Sequence, residues 1–340
     1  MEKKFYTQSE FENNYKLDYP DDLFLSFFDW QINEWEFARK NYDTLKELKT
    51  KTFDFPDTSV IVQFNPHRVG STLALVDEKS IANRKCFLCD ENLHDEQAGI
   101  RLTSNYTLLV NPFPIIPVHF TAKFNKHVPQ KISDNFIEIL EGAEALGENY
   151  FLLYNGPEAG ASVPEHRHFQ GGTKKDFPIL NSIEEILRGR TTGVNGPRIE
   201  EVRRESRAAL YSVRDSIRNY FVIKGADKSA IEKLFFMVFN SLTIRFPSAK
   251  ETKINLISTI YNNEFLLFIF PRKAHRPQCF YADDELQLLV SPATLDFGGV
   301  MVLPREEDFN KISKSNIEEI FNDVAFSEDE FDSVVNEIKY

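Results

Sequence analysis

The sequence predicts an α+β fold, in which antiparallel sheets are flanked by helices. Apolar runs of strand length, such as YTLLV and FLLFIF, are separated by segments with helical periodicity. These elements alternate irregularly, without the regular βαβ spacing of a Rossmann fold. The 31 phenylalanines among 340 residues add a third observation, because they predict an aromatic-rich core.

The first half is predicted to begin with helices and to continue as a sheet. Segment 8–50 has helical periodicity, and its expected packing anchors are Phe24, Phe27, Phe28, Trp30 and Trp35. Segment 58–76 predicts two strands around an Asn-Pro turn. YTLLVNPFPIIP and HFTAKFNKH predict two strands around a proline-rich bend. A helix at 133–147 and the strand NYFLLYNG follow.

After a glycine-rich segment at 188–198, which predicts a mobile loop, a second pattern begins. A helix is expected at 229–244, followed by a hairpin in KINLISTIYNNEFLLFIFPR whose turn is YNNE. GGVMVLPRE predicts a strand, and helices close the chain, the last with Ser327 and Glu330 as a capping box. The charged run at 200–204 is interpreted as a solvated helix face.

The composition is typical of a soluble globular protein and excludes several function classes. The formal net charge of −12 argues against a nonspecific nucleic-acid binder, which needs a positive surface to displace phosphate counterions. The N-terminal segment lacks the apolar run of a signal peptide, and no window of about 18 apolar residues suggests a membrane span. Three cysteines cannot form a disulfide framework. We therefore expect a cytoplasmic protein with neither nucleic-acid nor membrane partners.

The most informative stretch is HRHFQ, which carries two of the seven histidines. In a β-strand, residues two apart point to the same face, so His166, His168 and Gln170 are expected to project together onto a polar, accessible face. Arg167 is expected to point away, toward an acidic partner or a subunit contact. A solvated edge strand with incidental histidines is the alternative.

The segment before this strand is rich in turn residues. Asn155 begins the sequence NGPEAGAS, in which Gly160, Ala161 and Ser162 allow backbone N–H groups to approach a ligand closely. Such groups suit phosphate oxygens, and we expect a phosphate cradle that leads directly into the paired histidines. An ordinary strand connection is the alternative.

This combination of residues suggests nucleophilic attack on phosphorus. Neutral imidazole is a good nucleophile, and His168 is the expected attacking group, with a backbone carbonyl as the acceptor for its other ring nitrogen. Gln170 could donate its amide N–H to a non-bridging oxygen as charge develops.

These segments resemble the histidine-triad superfamily, in its transferase branch of uridylyltransferases and dinucleotide or nucleotide-sugar phosphorylases. Hydrolases of the superfamily carry a third histidine where this chain has Gln170, whereas the transferases carry glutamine. The resemblance extends to Asn111–Gln130, to YNGPEAGASVPEHRHFQ, and to FPRKAHRPQCFY and SPATLDFGGVMVLPREEDF in the second half. It implies two histidine-triad-like halves, 1–187 with the catalytic strand and 188–340 without a catalytic motif of its own.

The resemblance implies a two-step transfer through a nucleotidyl-histidine. The donor would be a nucleotide sugar, with a GDP-hexose phosphorylase as the leading member, or a dinucleoside polyphosphate. Orthophosphate as acceptor makes the enzyme a phosphorylase, and a sugar phosphate makes it a hexose-1-phosphate nucleotidylyltransferase. A nucleotide-binding protein without turnover is the alternative of another class. No cofactor is required for the chemistry, and a homodimer is left open by the relatives.

The resemblance also implies a structural zinc site. Cys86 and Cys89 have the C-x-x-C spacing of a zinc knuckle, and the uridylyltransferases complete theirs at the positions of His127 and His166. Two buried thiols in a tight turn are the alternative.

Other residues are candidates for binding nucleotide or phosphate. Asn65 and Arg68 resemble a phosphate- or ribose-contacting turn, and Asn111 and His119 belong to the matched strand pair. Each could instead serve packing or an ordinary turn. The densest basic cluster, expected to bind the acceptor phosphate or the sugar side of the donor, comprises Arg272, His275 and Arg276. A charged loop is the alternative there.

Overall fold

The computed structural model describes residues 5–73, 78–181 and 196–339. The helices in these ranges are α1 (Gln8–Asn14), α2 (Leu23–Glu34), α3 (Glu36–Leu45), α4 (Val69–Thr72), α5 (Glu78–Ala82), α6 (Ile137–Leu146), α7 (Lys228–Arg245), α8 (Gln278–Tyr281), α9 (Thr294–Phe297), α10 (Glu306–Lys311), α11 (Lys314–Val324) and α12 (Glu328–Lys339). Within the described residues, no helix is both long and apolar enough to span a membrane.

The described strands form two sheets. They are β1 (Phe5–Tyr6), β2 (Lys49–Asp54), β3 (Ser59–Phe64), β4 (Gly99–Arg101), β5 (Tyr106–Val110), β6 (His119–Phe124), β7 (Tyr150–Asn155), β8 (His168–Thr173), β9 (Arg198–Glu205), β10 (Ala208–Arg214), β11 (Tyr220–Gly225), β12 (Ile254–Tyr261), β13 (Glu264–Pro271) and β14 (Val300–Leu303). The large sheet has the order β1-β4-β5-β6-β8-β7-β12-β13-β11-β10-β9, and the small one the order β14-β3-β2.

The large sheet joins the two halves of the sequence. Strand β7 pairs antiparallel with β12, and Asn155 lies opposite Asn255. Apart from the short parallel pair β1–β4, the pairings in this sheet are antiparallel. The predicted α+β class with antiparallel sheets and flanking helices is confirmed.

Side chains on both faces of the large sheet are buried, which gives three layers. In β7, Tyr150, Leu152 and Tyr154 pack into a core that contains α2, α6, α7 and α12. The alternate residues Phe151 and Leu153 pack into the opposite core, against the small sheet and α11. Because both faces of β7 are buried, its sequence is a continuous apolar run and does not alternate between apolar and polar residues.

Several predicted elements are confirmed, among them the hairpin of β12 and β13. Its turn residues Asn262 and Asn263 have φ values of 50° and 59°, which are typical of a two-residue type I′ turn. The predicted cap of the last helix is also present, because the Ser327 hydroxyl accepts from the N–H of Glu330 at 3.3 Å while the Glu330 carboxylate accepts from the N–H of Ser327 at 2.8 Å.

The helix expected at about 133–147 is confirmed, with its first turn later than expected, at Ile137. Two element predictions are wrong. The second strand expected within 58–76 is replaced by a 3₁₀ turn, Pro66–Arg68, and by α4. The run at 200–204 lies in strand β9 at the edge of the large sheet, not on a helix. Most of the loop expected at 188–198 lies outside the described residues, and the division into 1–187 and 188–340 stays a prediction.

Candidate active site

His168 is the first residue of β8, and the backbone orients its imidazole. Nδ1 lies 2.8 Å from the carbonyl oxygen of His166, so Nδ1 carries the proton and donates it, and Nε2 keeps a free electron pair. Burial lowers the pKa of His168, which favours the neutral ring. The backbone acceptor expected for the second ring nitrogen is therefore present. The side chain is only 3% exposed, so the expectation of a solvent-accessible face is wrong.

Gln130 holds the start of β8 in place, which the sequence did not predict. Its Oε1 accepts from the backbone N–H of His168 at 2.8 Å, and its Nε2 donates to the carbonyl of His168 at 2.9 Å. Nε2 also reaches the carbonyl of Asn155 at 3.1 Å. One buried amide thus ties β7 to β8 at His168.

Gln170 has a defined amide orientation because of His119. The His119 Nδ1 accepts from the backbone N–H of Ile115 at 3.3 Å, so the proton of the neutral ring is on Nε2. Nε2 then donates to Oε1 of Gln170 at 2.9 Å. With its oxygen held in this way, the Gln170 amide has its N–H groups left for a ligand. Burial and the nearby Arg68 lower the pKa of His119 to about 3, so the ring stays neutral.

The prediction that three polar side chains share one face is right for two of them. His168 and Gln170 line the same cavity, whereas His166 precedes the strand and faces a cysteine pair. Arg167 points the other way, as expected, and stacks over Phe124 with its guanidinium 5.2 Å from the ring centroid. Its acidic partners lie 3.4–3.7 Å away, at Asp134 and Glu138.

A cavity with a volume of about 710 Å³ extends from His168 and Gln170 to a group of aromatic side chains. His94 stacks on Phe37, with ring centroids 5.8 Å apart, and lies 5.3 Å from Trp35. Phe87 and Phe113 are 58% and 49% exposed at this cavity. Exposed rings around a deep cleft offer stacking surfaces for a planar ligand such as a nucleobase.

Sequence reasoning did not find this aromatic group. Its members come from four separate segments, around residues 35–37, 87, 94 and 113. Trp35 was expected to be a packing anchor, and it is buried as well as lining the cavity. No local spacing signals the arrangement, because only the fold brings these segments together.

A smaller cavity of about 90 Å³ adjoins the first beside Gln170. Both are lined by Arg68, Ser162 and Gln170. The glycine loop forms one wall and approaches the second half of the chain so closely that a Cβ on Gly160 would lie 2.7 Å from Cβ of Ala293. Gly160 also has φ +97°, which side chains rarely adopt.

The predicted phosphate cradle contributes part of this wall. Asn155, Gly160, Ala161 and Ser162 line the smaller cavity. The N–H of Ala161 is directed to the carbonyl of Gly156 at 3.3 Å, so it serves the turn. The amide oxygen of Asn155 accepts from both the N–H and the hydroxyl of Thr294, at 2.9 and 2.7 Å.

The predicted basic cluster divides into two parts. His275 and Arg276 line the smaller cavity, and their contact with the acceptor or with the sugar side of the donor stays a prediction. Arg272 is a correction, because it lines neither cavity and is 2% exposed. Its guanidinium donates to Asn255 Oδ1 and to three backbone carbonyls, at 2.7–3.0 Å, and braces the loop after β13.

Two further candidates are also corrected. Asn65 is 2% exposed, and its Oδ1 accepts from the N–H of His67 at 3.1 Å, so it caps a 3₁₀ turn and lines neither cavity. His119 lines neither cavity and acts behind Gln170. Arg68 and Asn111 do reach the larger cavity.

Arg84 is a cavity residue that the sequence analysis missed. It donates to the carbonyl of Ser162 at 2.8 Å and forms a two-point ion pair with Glu165 at 2.9–3.1 Å. These contacts tie the glycine loop to the residues just before His166. The sequence offers no signal for them, because 81 positions separate the two charges.

The four predicted metal ligands lie together. One donor atom from each of Cys86, Cys89, His127 and His166 lies within 4.8 Å of the others. The measured sulfur-to-nitrogen distances are 3.2, 3.3 and 3.8 Å. Zn–S and Zn–N bonds of about 2.3 and 2.0 Å at tetrahedral angles separate S and N by roughly 3.5 Å, so the group fits zinc. The Nε2 of His166 donates to the carbonyl of Phe124 at 2.8 Å, which leaves Nδ1 for a metal.

Comparison with known proteins finds one family match in each half of the chain. Residues 27–173 match the family described as Domain of unknown function (DUF4922), and residues 200–340 match the family described as GDPGP1-like, C-terminal domain. No curated protein matches the chain.

Two solved structures of yeast Ap4A phosphorylase Apa2 share the fold. The structure in complex with AMP has a TM-score of 0.53 at 15% identity, and covers 87% of this chain and 96% of that chain. The structure described without a ligand has a TM-score of 0.52 at 15% identity, over 86% and 97%. The second half of the chain therefore matches a GDPGP1-like C-terminal domain, and the chain shares its fold with these two structures.

Proposed function

We propose that this chain is a nucleotidyltransferase of the phosphorylase type that works through a nucleotidyl-histidine on His168. The donor is a nucleoside diphosphate hexose or a dinucleoside polyphosphate, and the acceptor is orthophosphate. One observation carries the proposal: the Nδ1–H of His168 is held by a backbone carbonyl, so that Nε2 remains as a nucleophile in a ring that lines the large cavity. The fold shared with a yeast Ap4A phosphorylase supports the same class.

The cavities suggest how a donor would lie. The aromatic group around Phe37 and His94 would take the base, and the α-phosphate would lie beside His168 and Gln170. The smaller cavity, where Arg276 is found, would take the leaving group and later the acceptor. The leaving group and the acceptor would occupy the same position, because each must lie in line with the α-phosphorus and the imidazole of His168.

The chemistry needs two displacements. Nε2 of His168 attacks the α-phosphorus, a P–N bond forms, and the P–O bond to the leaving phosphate breaks with its electron pair on oxygen. An oxygen of orthophosphate then attacks the same phosphorus, a new P–O–P bond forms, and the P–N pair returns to the ring. The Gln170 amide donates to a non-bridging oxygen in both transition states.

Two alternatives remain to be separated by experiment. A hexose-1-phosphate nucleotidylyltransferase would use the same donor and intermediate with a sugar phosphate as acceptor. A nucleotide-binding protein without turnover would use the cavities alone, although the oriented imidazole favours catalysis.

A structural zinc ion is a second proposal for the same region. Cys86 and Cys89 would hold it together with His127 and His166, and the metal would fasten the loop at 86–89 to the start of the catalytic strand. Phe87 and Leu88, between the two cysteines, line the large cavity, so the metal would also fix one of its walls. A site completed by four protein ligands has no open position for substrate, and its role would be structural.

The test is the intact mass of the protein after mixing with nucleotide sugars and dinucleoside polyphosphates in the absence of acceptor. We expect an acid-labile adduct of one nucleoside monophosphate that disappears when orthophosphate is added and never forms in His168→Ala. Protein that binds nucleotide tightly without any adduct would favour the non-catalytic alternative. Discharge by sugar phosphate but not by orthophosphate would favour the nucleotidylyltransferase.

A further inference from the structure

Asp296 occupies a position in the smaller cavity that neither the sequence analysis nor the comparisons assign. It lies in α9, and among the described residues that line this cavity it is the only acidic one. The side chain is 8% exposed. One carboxylate oxygen, Oδ2, accepts from the backbone N–H of Ala293 at 2.8 Å, which fixes the group against the loop that faces Gly160.

The charges around Asp296 come from the 3₁₀ turn and from the residues that follow β13. Arg68 from the 3₁₀ turn and Arg272 from the end of β13 both attract it electrostatically, and His275 and Arg276 follow β13 in the same wall. Burial and the neighbouring arginines lower the pKa of His275 to about 4, so His275 adds no charge near neutrality. The cations lining the cavity are therefore Arg68 and Arg276, set against one carboxyl group.

Two arginines beside one carboxyl group favour a leaving group that carries little negative charge. A nucleoside diphosphate hexose releases a single phosphate that bears a sugar rich in hydroxyls. A dinucleoside tetraphosphate releases a nucleoside triphosphate, whose extra phosphates would crowd negative charge beside a carboxylate in a poorly hydrated cavity. A carboxylate can only accept hydrogen bonds when it is ionised, so it favours partners that carry an O–H.

Resting on the proposed function, we propose that Asp296 is a specificity-determining residue that accepts a hydrogen bond from a hydroxyl of the leaving group. It thereby favours nucleoside diphosphate hexoses over dinucleoside polyphosphates as donors. The aromatic group accepts the base in either donor, so discrimination occurs on the far side of the α-phosphate. A lost hydrogen bond to a charged group reduces the reaction roughly ten- to one-hundred-fold.

Protonation gives this preference a pH dependence. Burial raises the pKa of Asp296 to about 7, against the opposing effects of Arg272 and of backbone N–H groups at Ala293 and Val302. Above this pH the group accepts from a hydroxyl and repels polyphosphate. Below it the carboxyl is protonated, donates to phosphate oxygens, and loses its preference for the sugar.

The experiment measures the single-turnover rate of nucleotidyl-enzyme formation without acceptor, so that only the donor occupies the cavity. Donors are compared in matched pairs with one base: GDP-glucose with diguanosine tetraphosphate, and ADP-glucose with diadenosine tetraphosphate. For the base that the wild type accepts, we expect Asp296→Asn to slow the hexose donor roughly ten- to one-hundred-fold while the tetraphosphate is unchanged or faster. The hexose preference of the wild type should increase from pH 6 to pH 8.5, and that of the variant should stay constant.

Controls separate specificity from stability. Asp323→Asn changes a carboxylate that accepts the N–H of Gln278 at 2.7 Å outside both cavities, and it should leave both donors unchanged. If Asp296→Asn does not fold, Asp296→Ser keeps a small polar side chain without the charge. If Asp296→Asn slows both donors equally, or does not slow the hexose donor, the specificity role of Asp296 is wrong. The proposed function would still stand in that case, because the nucleotidyl adduct forms. No adduct with any donor in the wild type would overturn both.

Discussion

At the scale of single residues, two hydrogen bonds orient the side chains that the proposed reaction would use. The carbonyl of His166 fixes the tautomer of His168, and His119 fixes the amide of Gln170. Such preorganisation lowers the cost of orienting donors and nucleophile during the reaction. In the proposed reaction, His119 would be a positioning residue that acts through the Gln170 amide, since it lines neither cavity.

We expect His119→Leu to slow nucleotidyl-enzyme formation about ten-fold or more, because the Gln170 amide then loses its fixed orientation. The donor KM should change less than the rate, since the amide acts on charge that develops in the transition state. Rapid-mixing measurements of adduct formation provide the test. His119→Gln, which keeps a side-chain N–H, should recover part of the rate. Equal rates in wild type and His119→Leu would contradict the positioning role.

Asp296 should also make the free energy of unfolding depend on pH. Its pKa is raised to about 7 in the folded protein, above the usual carboxyl range, so the folded state binds more protons between pH 4 and 7. Its contribution to stability is therefore present at low pH and is lost as the pH rises to about 7. The stability advantage of Asp296→Asn over wild type should grow over this range, by on the order of 1–3 kcal/mol, and level off above it. Urea denaturation at pH 5, 6, 7 and 8 measures this difference, and a constant difference would place the folded pKa near its ordinary value.

The sequence predicted the residues whose role depends on local spacing. Strand alternation predicted that His168 and Gln170 lie on the same face, and both line the large cavity. The family resemblance predicted that Cys86 and Cys89 cluster with two distant histidines. Arg272 shows what spacing cannot provide. An arginine in PRKAHR looks available for a phosphate, yet both of its terminal nitrogens already donate to Asn255 and to three backbone carbonyls.

At the scale of elements, the glycine loop depends on Gly160. Its φ of +97° and the 2.7 Å approach to Ala293 mean that a methyl group would strain the backbone and push the loop from the second half of the chain. We expect Gly160→Ala to destabilise the protein by about 1–3 kcal/mol and to weaken donor binding. Thermal unfolding and donor KM would show both effects. The control is Gly70→Ala, where no atom lies within 4 Å of the added Cβ, and it should not destabilise.

The loop at 86–89 is the element that a metal would hold. Removing one ligand with Cys86→Ser should eliminate stoichiometric zinc and lower the melting temperature, because a structural metal contributes directly to folding. Metal content by mass spectrometry of the purified protein is the measurement. Cys279→Ser, a cysteine outside the cluster, is the matched control and should keep its metal. The same metal content in wild type and Cys86→Ser would contradict the zinc proposal.

Strand β9 shows why one element was misread. Its two apolar residues, Ile199 and Val202, are three apart, which is a helical spacing, and the residues between and after them are charged. In the structure Val202 packs in the core on one face of the sheet and Ile199 against the core on the other face. An edge strand with so little apolar surface can be recognised only once its partner β10 is known.

At the scale of the whole molecule, the large sheet crosses the boundary between the two family matches. Strands β7 and β8 of the first half continue into β12 and β13 of the second. Asn255 Nδ2 donates to Asn155 Oδ1 at 3.2 Å across this junction, and residues from both halves contribute to each of the two cores. Cores shared in this way predict one cooperative unfolding transition, even though the sequence predicts two halves.

The placement of the tryptophans makes this cooperativity measurable. Both tryptophans of the chain, Trp30 and Trp35, lie in the first half, so intrinsic fluorescence reports on that half alone. Leu267 is fully buried in β13 of the second half, and Leu267→Ala should cost about 2–5 kcal/mol. We expect this substitution to shift the urea midpoint of tryptophan fluorescence as much as that of far-ultraviolet circular dichroism. A fluorescence midpoint that does not move would show that 1–187 and 188–340 unfold as independent domains.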